Sequence, residues 1–61
     1  MTNIEKEKLF ATTLATINES DDYAVQGDDK FAEIYYHRYR GMITLLCELG
    51  IIDEYCEWKK R

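Results

Sequence analysis

Apolar residues recur along this chain at intervals of three and four, the spacing that gathers them on one side of an α-helix. Three helices are predicted. The first runs from about Ile4 to Asn18. At about 100° per residue, Ile4, Phe10, Ala11, Leu14, Ala15 and Ile17 share one broad face, with Leu9 off it. Thr2 followed by Glu5 fits a capping box, in which each side chain satisfies a free backbone N–H of the other. Thr2, Thr12, Thr13 and Thr16 lower the intrinsic helix propensity, so a strand over Thr12 to Ile17 is the competing assignment; the spacing favours helix.

From Asn18 to Asp29 the pattern breaks. Cap and turn formers follow one another, and Gly27 is free to take positive φ, so a linker is expected, with Ser20 capping one short turn through Tyr23 to Gln26. The second helix is written most plainly, from about Asp29 to Leu49 with Asp28 as its N-cap. Gly50 suits the left-handed position after the helix, and Ile51 would then touch Leu46 one turn back, as in a Schellman motif. A third, short helix is expected from Asp53, as cap, to Lys60. Its basic end is Lys59, Lys60 and Arg61; Ile52, Tyr55, Cys56 and the Lys59 stem share one side, flanked by Ile51 and Trp58.

The second helix is apolar on too many sides. One stripe carries Phe31, Ile34, Tyr35, Met42, Leu45 and Leu49; beside it lies another of Ala32, Tyr36, Tyr39, Ile43 and Cys47. Together they span roughly 220° of the circumference, against the ~100° or slightly more of an ordinary surface helix. One helix and a half-length helix cover one stripe well, leaving the other as a patch that monomers seldom expose. The expected architecture is therefore all-α: a small bundle of two main helices plus a short C-terminal helix, a single domain over residues 1–61, completed by homodimerisation. The alternative is a monomeric three-helix bundle. Gly41, at the centre of this helix, either admits another backbone, from the first helix or a second copy, or marks a tolerated kink. Arg38 lies within the main stripe, so its guanidinium must either meet Glu7 of the first helix or reach solvent at the rim of an interface.

Composition sharpens this picture. Sixty-one residues, without a single proline, bury a small core, and chains of this size usually need a disulfide, a metal or a second subunit. Cys47 and Cys56 are the only cysteines, and the opening residues are charged where a signal peptide turns apolar. Reduced thiols, a cytoplasmic location and an oligomeric staple are the expectation. No apolar run approaches the ~20 residues of a membrane span. The net charge of −4 argues against general binding to nucleic acid.

Candidate chemistry changes little. A twelve-residue calcium-loop frame can be drawn with Asp22 first, Gly27 sixth and Glu33 last, but Ala24 and Gln26 occupy two ligand positions, so no metal is expected. Tyr35-Tyr36-His37-Arg38-Tyr39-Arg40 resembles an aromatic–basic patch only in linear order; on a helix it scatters. His37 is the sole histidine, with Glu33 as a solvated partner one turn away, and there is no phosphate loop, nucleophile elbow or cofactor motif. The reading is a non-enzymatic protein-interaction or regulatory module that binds its own copy and an unidentified protein partner. The contact surface is expected at Tyr36, Tyr39, Ile43, Cys47, Arg38 and Trp58, with Glu19, Asp21, Asp22, Asp28 and Asp29 as a separate acidic surface. Acidic chains of this size also suit phage or mobile-element accessory proteins that block a host protein. The competing class is a small helical transcriptional regulator using Lys30, Arg40 and the basic tail on nucleic acid.

Overall fold

A computed structural model describes all 61 residues as three helices without strands: α1 (Asn3–Val25), α2 (Asp29–Glu48) and α3 (Ile52–Lys59). The all-α expectation holds. No helix is long and apolar enough to cross a membrane. α1 and α2 form a hairpin, and α3 folds back across one end of it. At about 1.5 Å per residue α1 alone is roughly 34 Å long, which accounts for the longest dimension of 37 Å.

Both ends of α2 are built as the residues imply. The Asp28 side chain accepts from the Phe31 N–H at 3.3 Å. At the other end Gly50 takes a φ of 72°, the Ile51 N–H donates to the Leu46 carbonyl at 3.0 Å, and the Gly50 N–H donates to Cys47 at 3.1 Å. That is the full Schellman pair, and Ile51 and Leu46 belong to one buried cluster. The capping box of α1 is also present: the Thr2 N–H donates to Glu5 at 2.9 Å and the Glu5 N–H to the Thr2 hydroxyl at 3.1 Å. The Thr2 N–H donated to it, with a smaller contribution from the Thr2 hydroxyl, holds the Glu5 carboxyl below its usual pKa.

Three expectations for α1 and α3 are corrected. First, α1 continues through the acidic stretch to Val25, and Ser20 caps nothing. Its hydroxyl is buried and donates to the Ala32 carbonyl of α2 at 2.7 Å. Tyr23, one turn on, stacks between Phe31 and Tyr35, with ring centroids 5.5 and 5.4 Å away. These contacts outweigh the low helix propensity of Asn, Ser and Asp.

Second, the face of α1 turned to α2 is Thr13, Thr16 and Ser20, with Phe10 at its edge; Ile4, Ala11 and Ala15 are exposed. Thr13 and Thr16 bond back to the carbonyls of Leu9 and Thr12, each at 2.8 Å. Their polar atoms are thereby satisfied within the helix, and their methyl groups are free to pack. Small side chains at the seam let the two helices lie close.

Third, α3 is capped two residues earlier than expected, by Ile51 and not Asp53, with no side-chain cap hydrogen bond; Asp53 sits in the first turn. Ile51 is already fixed by the end of α2, and its carbonyl accepts from the Tyr55 N–H at 3.1 Å.

The core is small and lies where the three helices meet. Phe10, Leu46, Ile51 and Tyr55 are its buried members, with Leu46 at 0% and Tyr55 at 1% exposure. Phe10, Tyr55 and Trp58 form an aromatic triangle with centroid separations of 5.6, 5.7 and 6.2 Å. Outside it, Lys6 of α1 bridges to Glu54 of α3 at 3.0 Å.

Candidate interaction surfaces

The two stripes of α2 meet different fates. α3 packs beside the second stripe, so Tyr39 and Ile43 are half-buried, while Tyr36 and Cys47 remain exposed. The first stripe lies largely open. Tyr35 and Met42 are half-buried at its inner edge, but Phe31, Ile34, Leu45 and Leu49 are 39–49% exposed. Helix α3 is too short and lies on the wrong side to cover them.

Within this open stripe Ile34, Arg38, Gly41, Leu45 and Leu49 follow one another at steps of four, three, four and four residues, a nearly straight seam along the helix. Gly41 is its midpoint. A Cβ built there would meet nothing within 4 Å, so neither α1 nor any other part of the chain requires the glycine. Arg38 is exposed too. Its guanidinium carbon stands 5.0 Å from the centre of the Tyr35 ring, extending the Phe31–Tyr23–Tyr35 stack, and makes no ion pair with Glu7. Of the two fates expected for Arg38, solvent is the one realised, because stacking on an aromatic face leaves a guanidinium hydrated.

A groove of about 390 Å³ separates the second stripe from α3. Tyr36, Tyr39 and Ile43 form one wall; Ile52, Tyr55 and Cys56 form the other; Arg40, Thr44 and Lys59 complete it. The Tyr55 hydroxyl is buried with no hydrogen-bond partner. Burial pushes its pKa up to about 12, and the neighbouring Tyr39 hydroxyl adds to the shift. Trp58 stands apart from this wall, packed on Phe10 and lining a charged cleft between α1 and α3.

The six expected contact residues are therefore not one patch: Tyr36, Tyr39 and Ile43 share the groove, Arg38 marks the open seam, Trp58 belongs to the core, and Cys47 is exposed near the end of α2. Sequence reasoning missed the groove's far wall. The shared side of Ile52, Tyr55, Cys56 and Lys59 was visible; that it faces the tyrosine stripe was not.

The acidic residues divide as well. Glu19, Asp21 and Asp22 are exposed on the last turns of α1, whereas Asp28 caps α2 and Asp29 opens it. The calcium-loop frame falls across two helices and a three-residue connection, Gln26 to Asp28, so its positions cannot converge as a loop. No three His, Cys, Asp or Glu side chains are gathered as a metal site. Glu33 and His37 lie 3.5 Å apart on the exposed side of α2. Comparison with protein-family models, curated proteins and solved structures finds no match to this chain.

Proposed function

We propose that this chain is a non-enzymatic protein-interaction module that pairs with its own copy through the open seam of α2. The observation that carries the reading is Gly41. A glycine in an exposed helix interior costs about 1 kcal/mol relative to alanine, and nothing within the chain uses the space it leaves. It sits at the centre of an apolar seam, where a second helix could approach closely.

Self-pairing fits the seam better than an unrelated occupant, because it is nearly symmetric about its middle. An antiparallel copy centred on Gly41 would set Ile34 opposite Leu49 of the partner subunit, and Arg38 opposite Leu45 of the partner subunit. Arg38, stacked on Tyr35, would lie beside the crossing point, its stem against the copy and its guanidinium reaching solvent. Size points the same way. The single chain exposes 4564 Å² for a mass of 7.3 kDa, about a tenth more than the ~4,200 Å² that surface scaling gives a compact monomer. Two free thiols, on α2 and α3, fit a reducing, cytoplasmic setting.

Light scattering over a hundredfold range of concentration tests the pairing. The expected mass is close to twice 7.3 kDa, falling to the single-chain value in the Ile34→Glu/Leu45→Glu variant. A Tyr36→Glu/Cys47→Glu variant, altering the exposed members of the other stripe, should remain paired. A wild-type mass of one chain at every concentration rejects self-pairing. Dissociation by the second variant alone moves the interface to the tyrosine stripe.

A further inference from the structure

The groove between α2 and α3 lies nearly opposite the seam on α2, roughly 170° away at 100° per residue, so pairing through the seam leaves it open. Its charge is unlike that of the rest of the molecule. The chain carries a net charge of −4, yet the residues lining the groove include Arg40 and Lys59 and no carboxylate. Neither cation is in an ion pair: Lys59 stands 5.3 Å over the Tyr55 ring, and the Arg40 side chain is exposed. The apolar part is supplied by Ile43, Ile52 and the tyrosine rings.

Beneath them the unpartnered Tyr55 hydroxyl is a standing cost, since a buried donor without an acceptor forfeits its hydration. Tyr39, half-buried, neighbours it in the groove wall. From Tyr36 to Thr44 the groove follows α2 for about 12 Å. That length accepts two side chains one turn apart on a docked helix. The groove is open to solvent along its side, which suits a peptide better than an enclosed small molecule.

We propose that this groove receives an acidic peptide segment of a partner protein, with an aliphatic side chain over Ile43 and Ile52 and a neighbouring carboxylate held by Arg40 and Lys59. The Tyr55 hydroxyl gains its acceptor from the bound segment. The proposal rests on the protein-interaction reading but not on self-pairing, since solution mass reads one and peptide titration the other.

The test is an amide-shift titration of the whole chain with a capped, alanine-based helical peptide of about twelve residues, carrying Leu and Glu one turn apart. The expected result is saturable shifts at Tyr36, Tyr39, Ile43 and Cys56. Binding should weaken about tenfold or more when Gln replaces Glu in the peptide, and likewise in the Arg40→Ala/Lys59→Ala variant. Tyr55→Phe, which removes the unpaired hydroxyl, should weaken binding while leaving the melting temperature unchanged or higher. A hydroxyl that binds nothing in the groove would leave the peptide affinity unchanged on Tyr55→Phe. The proposal is overturned by absent shifts at about 1 mM peptide or by equal binding of the Gln peptide. Octanoate matching the peptide at equal concentration also overturns it, by making the site one for small carboxylates.

Discussion

Leu46 and Tyr55 show how few side chains hold this fold. Leu46 is completely enclosed within a cluster of four buried residues, so there is little around it to collapse into a void. Leu46→Ala should cost about 2–5 kcal/mol. A chain of this length has roughly 3–9 kcal/mol in all, so the expected outcome in chemical denaturation is a large loss of folded signal at dilute concentration. Tyr55 acts through its proton. Its pKa rises from 10.0 to about 12 on folding, chiefly because burial disfavours the phenolate. A raised folded value means the contribution is whole below pH 10 and is lost as pH climbs towards 12. Melting temperatures measured from pH 9 to 12 should therefore fall more steeply for the wild type than for Tyr55→Phe. Parallel profiles would show that the buried hydroxyl does not couple to folding.

Among the elements, α2 carries the functional argument and Gly41 decides it. For a helix that faces only water, Gly41→Ala should raise stability by about 1 kcal/mol. For a helix that pairs at Gly41, the same methyl stands between two backbones. The expected result is opposed effects: a higher melting temperature of the dilute single chain, and a dimer dissociation constant raised at least about fivefold, read by concentration-dependent circular dichroism and light scattering. Tighter pairing in the alanine variant would remove the seam as the interface. At this scale the sequence was most legible where a signal is local. The Asp28 cap, the Gly50–Ile51 ending and the Thr2–Glu5 box depend on neighbours within one turn. The boundary at Asn18 was not legible, because what carries α1 to Val25 is Ser20 and Tyr23 meeting α2.

For the whole molecule, the consequence of pairing is that stability depends on concentration. If the copy completes the fold, the melting temperature should rise steadily with protein concentration, as mass action requires. A melting temperature constant across the hundredfold range would mean that the four-residue cluster suffices alone. Much of the candidate surface was legible as an excess of apolar residues on α2. Which of its two stripes stays open was not, because that follows from the side on which a short α3 folds back, and the Ile51 hinge sets that side.

The sequence alone determined the class of structure, the position of α2 and α3 to within two residues, and the presence of more apolar surface than one chain covers. These follow from periodicity and end chemistry, which act over distances of one helical turn. Only the tertiary structure decided that Thr13, Thr16 and Ser20, rather than Ile4, Ala11 and Ala15, face α2. It also decided that Arg38 stacks on Tyr35, and that the tyrosine stripe shares a groove with α3. The reason is geometric. Periodicity identifies a face by its hydrophobicity, but two long helices choose the faces that approach most closely, and threonines whose hydroxyls are satisfied within their own helix compete successfully with larger apolar side chains.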